Sequence, residues 1–261
     1  MNVQFAVPRD GSGIFILEVN PRASRTVPFV SKVIGVPLAK VAAKIAAGRT
    51  LREMNIKEVV PKHIAVKEAV FPFVKFGGVD VLLGPEMRST GEVMGIDRSF
   101  EAAFAKSQLA ASMRLPVPGD KPTDKTMNKP MTALIAVKDS DKDLAIPVVT
   151  NLIGLGFRIM ATGGTHARLS AAGLLCERVN KVSEGRPNCV DRMLDGDVHL
   201  VVNTTAGTAS IRDSFSLRRT ALMRGLPYYT TMSAARAATD AIARLKSGSI
   251  SVCSLQEYQH G

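Results

Sequence analysis

From Thr132 to Lys246 the sequence alternates short apolar, β-forming runs with longer stretches of helical periodicity. That alternation restricts the fold more than any other feature. The strand-like runs are TALIAV, FRIMA, LCERV, VHLVVN and LPYYT. Between them, Asp141 to Leu155 places Leu144, Val148, Leu152 and Leu155 on one helical face and stops at Gly156. TGGTHARLSAAG turns into a second helix, VDRMLDG is a short one, SIRDSFSLRRTALMRG reads as a single long one, and Met232 to Lys246 closes the series. Parallel strands need such crossovers, so the expectation is an α/β sheet covered on both sides. No internal repeat is visible.

Sheets of this kind bind ligands beyond the carboxyl ends of their strands. After FRIMA comes Thr162-Gly163-Gly164-Thr165 at a helix start, where glycines admit a phosphate and free N–H groups face it. After VHLVV comes Asn203-Thr204-Thr205, a cluster of amide and hydroxyl groups. Lys142 follows the first strand and Lys181 the third. A lone TGGT is as often a structural helix entry. Four coincident strand ends describe a phosphate-ester pocket. His166 beside it reads as a helix-surface residue.

The N-terminal part centres on FILEVNPRASRTVP, Phe15 to Pro28. The run from Ile14 to Val19 reads as a strand, and Glu18 and Asn20, two apart, point to the same face. Their oxygens suit a hard cation such as Mg²⁺ shared with substrate phosphates. Pro21 ends the strand, and Arg22 and Arg25 follow with the fork geometry that binds phosphate bidentately. Taken alone, E-x-N-P-R is equally a strand ending in a surface turn. Residues 3–8 and 13–20 read as a hairpin around the Gly-rich PRDGSG turn. Thr26 to Ala47 is helical in two runs separated by Gly35 and Pro37, both expected to cover a sheet. KEAVFPFVKFGGVD (67–80) reads as a strand and a Gly pair, LLGPEMRSTGEVMGIDRSF (82–100) as turn-rich. Ser99 then caps a helix to about Ser112 with Ala102, Ala103, Phe104 and Leu109 inside. Residues 113–131 hold four prolines and several charges and read as a linker.

Composition narrows the classes. The chain has 261 residues, 46% hydrophobic and 22% charged, which are globular values. No apolar run approaches the roughly 18 residues of a membrane span, and no signal peptide is visible at MNVQFAVPRD. Three scattered cysteines without a CxxC pair argue against zinc and fit reduced thiols in a cytoplasm. The net charge of +11 has only 5% aromatic residues and no Trp beside it, a poor platform for nucleic acid. It reads as phosphate chemistry on a basic surface, with neither nucleic acid nor membrane as partner.

EVNPRASRTVPFVSK and LLGPEMRSTGEVMG resemble the end of the ATP-grasp domain in the large subunit of carbamoyl phosphate synthetase. ATGGTHARLSAAG, VNKVSEGRPN, DGDVHLVVNTTAG and RRTALMRGLPYYTT resemble the methylglyoxal-synthase-like regulatory domain that ends the same subunit. The resemblance implies an α/β chain: an ATP-grasp α+β remnant over 1–112, the linker 113–131, and a parallel-sheet, Rossmann-like domain over 132–261. It implies Mg²⁺ or Mn²⁺ on ATP held by Glu18 and Asn20, with Gln4 of NVQFAV as a third ligand, and Arg22 and Arg25 on the phosphate-bearing groups. It implies a UMP- or IMP-type effector at Lys142, Thr162, Thr165, Lys181, Asn203, Thr204 and Thr205.

The implied activity is the carbamate-phosphorylating half of a glutamine-hydrolysing ligase that feeds pyrimidine and arginine synthesis. Its partners would be the rest of the large subunit, a glutaminase small subunit and further copies in an oligomer. Little of an ATP cleft fits before Glu18, so the sequence reads as a C-terminal piece, inactive alone. The alternatives are a stand-alone or split-gene effector-binding module and, remotely, a methylglyoxal synthase-type lyase, for which NTTAG lacks the carboxylate base. Glu68 and Leu83 match positions that contact the activator ornithine in some members, Leu83 reading rather as local packing. Responsive members carry Tyr-Asp-Thr where Tyr228-Tyr229-Thr230 stands here, so no ornithine response is expected. The loop after NTT often carries Arg in the family and has Thr208 and Ser210 here.

Overall fold

A computed structural model describes residues 1–75, 81–84, 86–119, 130–248 and 250–260. The chain forms two compact units, one of Met1–Ala65 with Val252–Gly261 and one of Val66–Ser251.

In the first unit, β1 (Asn2–Ala6) and β2 (Phe15–Asn20) pair antiparallel with a bulge between Gln4 and Phe5. The turn between them is held by Gly11 N–H donating to Pro8 O and by the Asp10 side chain, which accepts from Ser12 N–H at 3.0 Å. α1 (Thr26–Ile34) ends at Gly35, whose φ of 70° is the left-handed conformation that glycine supplies at helix ends. α2 (Leu38–Ala46) starts after Pro37, as the punctuation of the sequence requires. Neither helix contains a buried residue, which corrects the expectation that both cover a sheet. The sheet here has two strands, too small to bury a helix face.

β3 (Ile64–Val70) carries the chain into the second unit and forms a two-stranded sheet with β4 (Gly91–Asp97). β4 lies in a stretch expected to be turns. α3 (Phe100–Ala110) follows, capped by Ser99, whose hydroxyl accepts from Ala102 N–H at 3.3 Å. Its Ala102 and Ala103 are buried as expected, whereas Leu109 is exposed. Residues 113–119 are packed rather than loose, with Leu115 and Val117 buried. The Gly pair 77–78, Pro85 and most of the expected linker, 120–129, lie outside the described residues. The packing units thus divide at Ala65 and Val66, and residues 66–112 belong to the same compact unit as the sheet that follows.

That sheet contains β5 (Thr132–Ala136), β6 (Arg158–Thr162), β7 (Glu177–Val179), β8 (Leu200–Asn203) and β9 (Tyr228–Tyr229), all parallel, in the order β7-β6-β5-β8-β9. Its crossovers are α4 (Lys142–Leu155), α5 (Gly163–Ala171), α6 (Cys189–Leu194), α7 (Gly207–Asp213) and α8 (Phe215–Met223), and α9 (Met232–Ser247) follows β9. Side-chain alternation sorts two cores. Ala133, Ile135, Ile159, Ala161, Leu200 and Val202 join the core that contains Val149 and Leu152 of α4 and Ala238 and Ile242 of α9. Leu134, Met160 and Val201 join Met193 of α6 and Leu217 and Ala221 of α8 on the other face. The buried face of α4 is Ala145, Val148, Val149 and Leu152; Leu144, expected on it, is 57% exposed. The expected long helix 210–225 is two helices, broken at Ser214, whose hydroxyl donates to Ser210 O at 2.9 Å.

A last helix, α10 (Leu255–His260), belongs to the first unit. Gln259 Nε2 donates to Lys32 O at 2.8 Å, and the Tyr258 ring lies 5.5 Å from His63, the buried histidine whose Nε2 meets Val33 O at 3.0 Å.

Candidate functional site

The strand order reverses beside β5, and parallel sheets leave a crevice at the carboxyl end of that switch point. A cavity of about 550 Å³ occupies it. Lys142, Thr162, Thr165, Lys181, Asn203 and Thr204 all line the cavity; Thr205 and His166 do not.

The polar side chains divide into two kinds. Thr165 Oγ accepts from Val137 N–H at 3.2 Å, Thr204 Oγ accepts from Lys138 N–H at 3.0 Å, and Asn203 Nδ2 donates to Ala136 O at 3.0 Å. These three hold the end of β5 in place. Asn203 Oδ1 is also taken, accepting from the Tyr228 hydroxyl at 2.8 Å. The cations are of the other kind. A β-carbon built on Gly164 would lie 2.8 Å from Lys142 Nζ, so that ammonium rests on the first turn of α5. The same test at Gly163 finds the Arg178 guanidinium at 3.7 Å. Thr162 precedes α5 in extended conformation and does not cap it with its side chain. The start of α5 therefore combines a helix end without a side-chain cap, its positive dipole and the Lys142 ammonium in the cavity, with Arg178 beside Gly163, which suits a phosphate.

Sequence reading missed the carboxylates. Asp139 and Asp213 both line the cavity. Asp139 Oδ1 lies 2.7 Å from Lys142 Nζ, and that hydrogen bond and charge, with Lys181 adding to them, hold its carboxyl below the ordinary carboxylate range. Cys189 also lines the cavity; burial pushes its thiol up, so it is an inert lining group.

The other candidate set sits on the hairpin of the first unit. Gln4 and Glu18 are direct cross-strand partners. Opposed residues share a face, as do Glu18 and Asn20 two apart, so all three oxygen-bearing side chains lie on one side. Asn20 Nδ2 donates to Glu18 Oε1, which aims two of them together. Arg22 and Arg25 are exposed on the segment joining β2 to α1; Arg22 Nη1 donates to Ala23 O at 3.2 Å, and Arg25 is the residue that precedes α1. Among the described residues no group of three or more His, Cys, Asp or Glu gathers, so a cation here would depend on amide oxygens as well as Glu18. Gln, Glu and Asn are hard oxygen donors that fit Mg²⁺ or Mn²⁺, too few to fill its shell without water or phosphate.

A second cavity of about 330 Å³ is lined by Glu68, Gln108, Tyr228, Tyr229 and neighbours. Gln108 Nε2 donates to Glu68 at 2.6 Å, Ser107 Oγ donates to Glu68 at 2.9 Å, and the Tyr229 hydroxyl donates to Gln108 Oε1 at 2.9 Å. Burial, and then the Glu68 charge, raise the Tyr229 hydroxyl's pKa, so it stays a donor. Leu83 is 63% exposed and absent from this lining, contrary to a packing role. Among the described residues no helix is long and apolar enough to cross a membrane.

Residues 144–230 match the family description "MGS-like domain", and residues 1–54 match "Carbamoyl-phosphate synthase L chain, ATP binding domain". The chain is 53% identical over 99% of its length to the carbamoyl phosphate synthase large chain of Mesorhizobium japonicum, covering 21% of that protein. It is 51% identical, again over 99%, to that of Myxococcus xanthus, covering 23%. The chain thus spans about a fifth of the relatives it matches. From end to end it is similar to the C-terminal part of these large chains: a partial ATP-grasp region followed by a Rossmann-like, MGS-like domain.

Proposed function

We propose that this chain works as the C-terminal part of a carbamoyl phosphate synthase large chain, supplying the metal-binding end of one ATP-grasp unit and a nucleotide-controlled domain. By descent the first part is 1–112 and the second 132–261, with 113–131 between them, although packing divides the chain elsewhere. The observation that carries the reading is the register of the hairpin, which sets Gln4 opposite Glu18 with Asn20 on the same face. Mg²⁺ or Mn²⁺ held there would neutralise charge on the phosphates of ATP. Glu18 supplies the anionic oxygen, Gln4 and Asn20 supply neutral ones, and Asn20 orients Glu18 through its amide. Arg22 and Arg25 lie exposed beyond the end of β2 and are long enough to clasp phosphate oxygens.

The reaction is phosphorylation of carbamate, with ammonia delivered from glutamine by a separate small subunit. Phe5, Ile14, Phe15, Ile16, Leu17 and Val19 of the hairpin are all 49–71% exposed, which supports burial against the rest of an ATP-grasp domain. The chain alone is therefore inactive in synthesis. The 550 Å³ cavity takes a UMP- or IMP-type effector, its phosphate at Lys142, Lys181 and the start of α5. Ornithine has no effect, because Gln108 and Ser107 already occupy Glu68, and Tyr229 supplies no carboxylate for an amine.

The test is Glu18→Gln in the intact large chain, assayed for ATP-dependent carbamoyl phosphate formation. Loss of about a hundredfold or more is expected, the scale of removing one preorganised electrostatic group from a phosphoryl-transfer site. Full activity in that variant would refute the assignment.

A further inference from the structure

We infer that Asp139 is a built-in competitor for the phosphate site: its carboxylate occupies the Lys142 ammonium and must swing away before an anion binds there. The inference rests on the effector reading above and adds a control to that same cavity.

The geometry is specific. Lys142 is the cation that lies on the first turn of α5, and its Nζ is 2.7 Å from Asp139 Oδ1. The Lys142 side chain is 22% exposed, whereas the Asp139 side chain is 96% exposed. A sheltered lysine is thus covered by a carboxylate that can leave without opening a hole. Asp139 belongs to the 3-10 turn Asp139–Asp141 between β5 and α4, where rotation about its own side-chain bonds is sufficient to release Lys142. Lys181, from beyond β7, adds a weaker pull on the Asp139 charge. Lys138 is matched separately, its Nζ 3.8 Å from Asp141, and Asp213 lines the same cavity. Carboxylates therefore offset much of the lysine charge around the cavity.

An incoming phosphate meets two obstacles: the Lys142–Asp139 pair must open, and the freed carboxylate repels the new anion. Exposed pairs are weak, so the combined penalty is roughly three- to tenfold in affinity. That raises the concentration at which any anion, inorganic or effector phosphate, fills the site.

The experiment is calorimetric titration of the full chain with inorganic phosphate, comparing the unmodified protein with Asp139→Asn and Asp141→Asn. The two variants remove the same charge from one turn. The expected result is tighter binding by roughly three- to tenfold in Asp139→Asn, a clearly smaller gain in Asp141→Asn, whose 3.8 Å pair with Lys138 is looser, and loss of the gain when Lys142→Ala is added. Equal or weaker binding in Asp139→Asn would show that the carboxylate positions Lys142 instead, and would overturn the competitor alone. Equal gains in both variants would assign the effect to net charge and overturn it too. No phosphate binding by any of the proteins would overturn both the competitor and the site.

Discussion

Gly95 in β4 is the position where one carbon is expected to cost the most. A β-carbon there would lie 1.9 Å from Ala103 O and 2.5 Å from Ser107 N, the acceptor and donor spaced as one helical turn of α3. An ordinary C···O approach is about 3.3 Å, so strand and helix would have to part by roughly 1.4 Å. Both obstacles are backbone and cannot rotate aside. Overpacking of this kind costs about 1–3 kcal/mol, and breaking the turn's hydrogen bond adds about 1 kcal/mol. Ser107 and Gln108, which hold Glu68, would shift with the helix. Gly95→Ala should therefore lose about 3 kcal/mol, a fall of roughly 6–12 °C in Tm for a domain of this size. Gly91, in the same strand, has nothing within 4 Å of a β-carbon, so Gly91→Ala should stay within about 0.5 kcal/mol of the parent. Circular dichroism melts of the two variants decide it. A Gly95→Ala protein melting within 2 °C of the parent (~1 kcal/mol or less), or a Gly91→Ala protein equally damaged, would refute the close packing of β4 on α3.

Two further outcomes are expected from stability measurements. His199 Nδ1 accepts from Thr132 N–H at 3.1 Å at the start of β5, and burial holds its pKa below the ordinary 6.5 despite the opposing pull of Asp197. The unfolded chain then binds the proton more readily, so His199 leaves stability intact above about pH 6.5 and lowers it as pH falls below that value; Tm measured at pH 7.5 and 5.5 should fall less in His199→Asn than in the parent. Tyr229→Phe leaves the buried Gln108 Oε1 without the hydroxyl it accepts from, and should cost about 1–2 kcal/mol in urea unfolding; an unchanged midpoint would mean that water replaces the hydroxyl.

The legible parts of the molecule were those written in local pattern. Gly35 and Pro37 mark the end of α1 and the start of α2, Ser99 marks the start of α3, and the five strand-like runs from Thr132 become the five parallel strands. Six of the seven expected effector residues converge on one cavity because strand ends are brought together by topology, which the alternation of elements dictates. What was not legible depends on tertiary contact. Gly91 and Gly95 read as turn residues, yet Gly95 is needed because a helix backbone lies against it. Asp139, three residues before Lys142, belongs to no motif, and Arg178 lies in an expected strand; the fold sets Asp139 in the cavity lining and Arg178 beside Gly163 at the start of α5. The second cavity joins β3, α3 and β9, segments far apart in sequence, so its Glu68–Gln108–Tyr229 chain had no local signature.

The most direct measurement is a calorimetric titration of the chain with UMP and with IMP, repeated on Lys142→Ala. A saturable, one-to-one heat with at least one nucleotide, lost in the variant, is what a phosphate-binding effector cavity at the switch point predicts. Absence of heat with both nucleotides at protein concentrations well above micromolar, or binding that survives Lys142→Ala unchanged, would contradict it.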